Sequence, residues 1–425
     1  MPAKSFPTWV IFCALSLLFF IVSAGTFSSL GVVLPSMVAE MKWTWTEAGL
    51  GYTILGVACG LSSFAPAVTI RRLGVRWTLA LGAVLLVAGF ASLAMTRSIG
   101  LYLAAELLIG IGFSLTTTVP AIHILTKLFK RHSTILGAYF TIGGLGQVAG
   151  PLFFIAIEGP THQWRTYWWV FAAVAAVLGT FGALVTSGTA DAVDPAKDLP
   201  PEQLGPGALI EGLQDWTVRS ALAKPQFYVI VGAYTMYLLV NTTAHGFAVE
   251  HLTERGISAK LAAGMLSLEA LIGALISVVG GVIGEKVSAK SLLMVALASL
   301  VCGMAALAFA HGYAMMLVYA VGVGVGYGLS FVASTVLLLQ YFGRKANLEL
   351  YSIMCLISTS AAIGPAVGGW ARDTLGSFSG VFLLCAFATL LMLAATAIMS
   401  PPAAARAPKR RSSAALSAKP VHDPA

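Results

Sequence analysis

Residues 187–224 read SGTADAVDPAKDLPPEQLGPGALIEGLQDWTVRSALAK, from Ser187 to Lys224. The run carries the acids Asp191, Asp194, Asp198, Glu202, Glu211 and Asp215 and the prolines Pro195, Pro200, Pro201 and Pro206. A stretch of this composition cannot cross a bilayer, where every backbone group needs an internal partner, and it buries too little apolar surface to fold alone. The sequence on both sides of it is overwhelmingly apolar. It lies near the middle of the 425-residue chain, so the expected organisation is two membrane-embedded halves, 1–187 and 225–400, joined by a polar linker, 188–224. A disordered Ala/Pro/Ser-rich tail, 401–425, is expected to follow.

Composition agrees with a membrane protein. The chain is 58% hydrophobic and 10% charged, against about 25% charged in an ordinary soluble domain. Its five cysteines, Cys13, Cys59, Cys302, Cys355 and Cys385, all lie in apolar runs and read as small core residues, with no disulfide framework. The first apolar run continues to Met37 without a small-residue cleavage pattern, so it reads as a retained membrane helix instead of a signal peptide.

A membrane helix needs roughly 20 apolar residues. Six such spans precede the linker, at 9–34, 47–70, 76–96, 100–126, 133–157 and 166–187. Six more follow it, at 226–249, 259–283, 291–310, 313–339, 350–370 and 378–399. The predicted fold class is therefore an all-α membrane protein of twelve transmembrane helices. All 25 Lys and Arg residues fall outside these spans or at their ends. With both termini on the cytoplasmic side, nineteen lie on that side and six (Lys42, Arg97, Arg165, Arg255, Lys260 and Arg372) on the other. This bias follows the positive-inside rule and predicts a multi-pass protein of the cytoplasmic (inner) membrane. It also assigns the net charge of +8 to the lipid surface, which argues against a nucleic-acid partner.

The two halves repeat. Gly110-Ile111-Gly112 matches Gly324-Val325-Gly326, Arg72 and Arg76 match Lys286 and Lys290, and Gly150-Pro151 matches Gly364-Pro365, all at an offset of 214. Phe129 and Arg131 match Phe342 and Arg344 at 213. Matches in the same order at one offset indicate internal duplication. An even number of helices per half gives parallel pseudo-repeats about an axis along the membrane normal, with a site expected at their interface.

Over nearly its whole length the chain now resembles the major facilitator superfamily of secondary transporters. Gly281-Val282-Ile283-Gly284-Glu285-Lys286-Val287-Ser288-Ala289-Lys290 is similar to that family's loop signature between its second and third helices. The first half keeps Arg72, Gly74 and Arg76 but has Arg71 where the signature places an acid. Gly146-Gln147-Val148-Ala149-Gly150-Pro151 resembles the Gly-Pro element of helix 5. Finer likeness to the oxalate/formate antiporter and monocarboxylate transporter group is carried by Gly31 to Pro35, Lys42 to Ala48, Leu128 to His132, Trp164-Arg165, Tyr341 to Lys345 and Gly376 to Phe378. That resemblance implies alternating access by rocking of the halves, and a small organic solute as cargo, a mono- or dicarboxylate first. It also implies transport by exchange or with protons, and no cofactor. A monomer is expected.

Among residues that carry chemistry, Glu106 and Glu269 are the carboxylates of the membrane interior. Each stands about nine residues from an end of its span, roughly 13 Å deep at 1.5 Å per residue. A buried acid is costly unless paired, hydrated or protonated, so both are candidates for proton coupling. The alternative is a protonated acid hydrogen-bonded to a neighbouring helix. Asn241 and His245 are four apart on one helix face and read either as cavity lining or as interhelical hydrogen bonding. His123, Gln147, Tyr319 and Tyr327 are further cavity candidates. Gly146 and Gly150 with Pro151, and Gly364 with Pro365, read as close-packing and bend points between the repeats, as do Gly322, Gly324, Gly326 and Gly328. Arg72, Arg76, Glu285 and Lys286 read as the gating loops.

No motif for a metal, a nucleotide or another cofactor is present, and the dispersed polar residues form no catalytic set. The linker is too short for a sensor's output domain. The monocarboxylate group places an Arg where this chain has Ser277, and no Lys lies between Leu350 and Trp370. The interior charge inventory therefore favours a neutral or cationic solute, with a proton-coupled exporter of such amphiphiles as the alternative, while the branch resemblance favours a carboxylate.

Overall fold

The computed structural model describes residues 6–129, 132–161, 163–188, 216–284, 287–343 and 346–402. Among them the chain is helical throughout. The central run 189–215, the tail 403–425, and Glu285 and Lys286 of the second gating loop lie outside the described residues.

The first half contains α1 (Thr8–Met41), α2 (Trp45–Leu61, continuing after a bend as 65–73), α3 (75–94), α4 (Ile99–Thr116, then Thr118–Leu128), α5 (His132–Thr161) and α6 (Trp164–Val185). The second contains α7 (Pro225–Glu254), α8 (Ala259–Ile283), α9 (Ala289–Ala308), α10 (Tyr313–Phe342), α11 (Asn347–Ser358, Thr359–Ile363 and Gly364–Leu375) and α12 (Ser379–Ile398). The predicted break between the second and third spans falls at Gly74. Its φ of 81° is open to glycine and costly for other residues, and it separates α2 from α3 within an otherwise continuous run.

Helix starts repeat with the same period as the motifs. Thr44 caps α2 with a reciprocal Thr44–Glu47 box, and Ser258, 214 residues later, caps α8 through the backbone N–H of Leu261. α4 starts after Ser98 and α10 after Gly312, again 214 apart. The pattern supports two six-helix pseudo-repeats, and the linker does not break it. The linker's last turn belongs to the second half: Trp216 is buried against Phe342, and Lys224 lies over its ring.

Two helices depart from regular geometry where the sequence explains it. α11 tightens into a 3-10 turn at Thr359–Ile363, just before Gly364-Pro365. Pro365 has no N–H to give to the carbonyl of Ala361, and the Thr242 hydroxyl of α7 donates to that carbonyl instead at 3.4 Å. α5, by contrast, stays α-helical through Pro151. In α1 a π turn occupies Ala24–Ser28, where the Ser29 hydroxyl donates back to Ala24 and itself accepts from Tyr167 of α6. Such turns leave a main-chain carbonyl to be paired from elsewhere. The Phe27 carbonyl accepts from the Tyr52 hydroxyl of α2 at 2.7 Å.

The halves meet along three pairs of helices: α2 with α11, α5 with α8, and α1 with α7. The expectation that the glycine-rich stretches of α5 and α10 form these contacts is corrected for all but Gly144, which faces Ala274 of α8. Gly146 and Gly150 close on the Phe20 and Ala24 carbonyls of α1, inside their own half. Gly322 and Gly326 pack on α9, and Gly324 and Gly328 on α8, again within one half. Gly364 packs on Thr243 and Leu239 of α7. The glycines that admit the other half are elsewhere. A methyl at Gly49 would lie 2.2 Å from the Pro365 carbonyl oxygen, one at Gly369 2.0 Å from that of Trp45, and one at Gly31 1.6 Å from that of His245. Gly31 and His245 are themselves 214 residues apart, so the repeat axis runs where they touch.

Candidate functional site

Where α1 and α7 meet, a polar cluster is enclosed. His245 and Glu269 are each 1% exposed, and the imidazole Nε2 stands 2.9 Å from Glu269 Oε2. One helix turn earlier on α7, Asn241 Nδ2 approaches the same ring nitrogen at 3.4 Å. On the far side of the ring, Ser28 Oγ of α1 lies 3.5 Å from Nδ1. With Nε2–H donated to Glu269, the neutral imidazole leaves Nδ1 as an acceptor for the Ser28 hydroxyl; the protonated ring would donate at both nitrogens. His245 thus joins the second half's acid to a helix of the first half.

α10 completes the site. Tyr319 turns its buried hydroxyl toward the Glu269 carboxylate without making a full hydrogen bond, and Glu269 Oε1 has no hydrogen-bond partner among the described residues. Tyr327, two turns on, interacts through its hydroxyl with Gln147 of α5 and Tyr237 of α7, and its ring closes on Gly273, one turn after Glu269 on α8. The Tyr237 and Tyr327 rings are 5.5 Å apart. The Gln147–Tyr327 contact again joins the halves. Six of the sequence candidates, Asn241, His245, Glu269, Tyr319, Tyr327 and Gln147, therefore gather around one point.

Glu106 is also 1% exposed, and its Oε1 is likewise without a partner among the described residues. It faces α2: one turn before it Tyr102 donates to the Ala48 carbonyl at 2.9 Å, and one turn after it Gly110 packs on Leu55 and Cys59. His123 is not in the cluster; it sits near the end of α4 with its Nε2 3.0 Å from Lys127 Nζ. Arg72 and Arg76 are exposed on either side of Gly74, with Arg76 over the Trp77 ring at 5.4 Å.

The end of the bundle beyond the cluster is shut by contacts that the sequence did not suggest. Asp373, at the end of α11, accepts hydrogen bonds from the backbone N–H of Trp45 (3.0 Å) and Thr46 (2.7 Å) and from the Thr46 hydroxyl (2.5 Å). A carboxylate from one half thereby caps the first turn of α2 in the other, where the helix dipole favours a negative charge. Trp45 inserts against Phe247 and Phe378, with ring centroids 6.1 and 5.3 Å away. Glu40 binds Arg165 and Trp164, and Glu254 binds Arg372, fixing helix ends within each half.

Among the described residues, the groups turned into the cluster are carboxylates, an imidazole, amides and hydroxyls, without a Lys or Arg; no group of three metal-ligating side chains occurs. Two duplicated six-helix bodies closing over a buried polar cluster define a membrane carrier. The sequence profile of the Major Facilitator Superfamily matches residues 15–354, and the chain belongs to that family. Two solved structures, of the nucleoside transporter NupG and of a point mutant of it, share the fold with TM-scores of 0.69 and 0.71 at 13% and 15% identity. Each comparison covers 92% of this chain, and 98% and 99% of the respective neighbour. No curated protein sequence matches the chain. The protein is a secondary transporter of small-molecule substrates.

Ser28 is the site residue that sequence reading missed. Ser28 had a usable signal, since it is the repeat mate of Thr242 and stands a turn from Gly31.

Proposed function

We propose that this protein is a proton-coupled carrier of a small neutral or cationic organic solute bearing hydroxyl or amide groups. The observation that carries the reading is the buried His245–Glu269 pair, ringed by Asn241, Tyr319, Tyr327 and Gln147 and touched by both halves. An anion brought to this place would meet Glu269 with no Lys or Arg beside it, and an unpaired buried charge costs several kcal/mol. A neutral polar solute, such as the nucleosides that the structural neighbours are named for, can instead exchange hydrogen bonds with Glu269 Oε1 and Tyr319.

A small mono- or dicarboxylate is the second reading. It is favoured by the likeness to the oxalate/formate and monocarboxylate group, and requires entry as the neutral acid. Most segments that carry that likeness stand at helix ends: Trp43 to Thr46, Trp164-Arg165 and Gly376 to Phe378 border the shut end and not the cluster. Glu269 and Glu106 are the proton-coupling acids in either case. The Lys and Arg distribution supports both termini on the cytoplasmic side; rocking of 1–187 against 225–400 and action as a monomer belong to the same proposal.

Thermal stability of the purified protein against neutral polar solutes, organic cations and small carboxylates, at acid and neutral pH, tests the cargo, because a ligand of the folded state raises apparent stability by mass action. Stabilisation by a neutral or cationic solute is expected. Stabilisation by a carboxylate alone, stronger at acid pH, would replace the first reading with the second. Glu269→Gln and Glu106→Gln should each abolish proton-driven accumulation while sparing exchange.

A further inference from the structure

The corner between the second and third helices differs between the halves. In the first half it reads Arg71-Arg72-Leu73-Gly74-Val75-Arg76-Trp77, and 214 residues later Glu285-Lys286-Val287-Ser288-Ala289-Lys290-Ser291. Arg71 stands where the second half has Glu285, and Trp77 where it has Ser291. The second half ties its last cation down: Lys290 Nζ donates to the carbonyls of Ala397 and Met399 at 2.8 and 2.7 Å. Its repeat mate Arg76 lies over the Trp77 ring instead, at 5.4 Å. Arg71, Arg72 and Arg76 are all exposed, and among the described residues no carboxylate pairs with any of them. Between Glu47 and Glu158 the sequence holds one acid, Glu106, which is buried in α4. Packing fixes the direction of the corner. Ile70, Val75 and Leu79 are buried in one cluster with Ala121, Ile124 and Leu125 of α4. Leu73 and Trp77 turn outward, 53% and 59% exposed. Beyond Trp77 the exposed positions Leu81, Val84 and Ala88 follow at i+4, i+7 and i+11, an apolar stripe along one face of α3. The run 65–94 packs on α4 and α6 of its own half, so the stripe meets lipid, with Trp77 at the level where aromatic rings settle in a bilayer.

We infer that this corner binds an anionic phospholipid, its phosphate held by Arg71, Arg72 and Arg76 and its acyl chains laid along Trp77, Leu81, Val84 and Ala88. A guanidinium offers phosphate a fork of parallel N–H donors, which makes arginine the fitting cation for that group. Three of them with no acid beside them favour a headgroup of net negative charge over a zwitterionic one, whose own ammonium they repel. The stripe selects lipid over an acidic peptide, because a peptide laid along it would carry unpaired backbone groups into the bilayer. The second half lacks every part of this arrangement: its corner keeps an acid in sequence, binds Lys290 internally and has a serine in place of the tryptophan. The site lies on the lipid-facing surface of the first half, away from the polar cluster, and is independent of the identity of the cargo.

The test is quenching of Trp77 fluorescence by lipids with brominated chains, in full-length protein reconstituted into bilayers. The difference between wild type and Trp77→Phe isolates this ring from the other tryptophans. In mixed bilayers of phosphatidylglycerol and phosphatidylcholine, brominated phosphatidylglycerol should quench that component several-fold more strongly than brominated phosphatidylcholine at the same mole fraction. Arg72→Gln and Arg76→Gln should each lower this preference about fivefold, and the triple variant with Arg71→Gln should abolish it. Arg219→Gln makes the same charge change at an exposed cation of the second half and should leave the preference intact. Equal quenching by the two lipids, or an equal loss in Arg219→Gln, would mean attraction to the surface as a whole and would overturn the site. A preference that emerges only when Asp191, Asp194, Asp198, Glu202, Glu211 and Asp215 are changed to amides would mean that the acidic linker covers the corner, and would overturn it as well. Should the triple variant not fold, the two single variants at exposed positions decide.

Discussion

The halves touch along two outer seams built in opposite ways. At the α2–α11 seam, backbone lies on backbone through Gly49 and Gly369, the Ala366 N–H donates to Thr53 Oγ1 at 3.1 Å, and Asp373 ties down the start of α2. At the α5–α8 seam, Gly144 would carry a methyl at an ordinary 3.8 Å from Ala274, and the nearby polar link is the side-chain contact of Gln147 with Tyr327 on α10. Directional main-chain bonds break all at once when their partners part, whereas apolar contact between side chains is non-directional and tolerates sliding. The first seam therefore acts as a latch and the second as a bearing.

Substitutions can break or sharpen this contrast, read by the population of short distances between spin labels at exposed Lys42 and Leu375. Gly49→Val should remove the short-distance population altogether, because its added carbons meet the Pro365 carbonyl and backbone cannot yield as a side chain can. Asp373→Ala should cost about 2 kcal/mol, a roughly thirtyfold shift toward the parted state, by removing three hydrogen bonds and the charge at a helix start. Thr53→Val, which loses one hydrogen bond, should cost about 0.5–1 kcal/mol. Gly144→Ala should leave the population unchanged within error. A large effect at Gly144, or none at Asp373, would erase the distinction between latch and bearing.

The reasons some of this was legible and some not are physical. Twelve helices and their duplication follow from hydropathy and from a fixed offset, both local properties of the chain. Glu269, His245 and Asn241 stood out because polar groups are expensive inside apolar helices, so each marks a partner. Which partner was not legible: small residues in α5 and α10 announce a close approach without naming the helix that approaches, and those glycines, Gly144 apart, build the halves instead of joining them. Asp373 gave no signal, since an acid at a helix end is ordinary until a helix from the other half starts beside it.

The contact of Gly31 with His245 bears on how such a chain diverged after duplication. Copies of one ancestral position face each other across the axis, and a side chain at Gly31 would run into the main-chain carbonyl of its copy. That carbonyl is present whatever residue stands at 245, so Gly31 stays a glycine while its copy is free to carry bulk directed away from the contact. The exchanged arrangement, Gly31→His with His245→Gly, would drive the new side chain into that carbonyl, which the glycine at 245 still carries. Close backbone approach on the α1 side therefore decided which copy could carry a ring, and with it which half of an inherited symmetry became the chemical one.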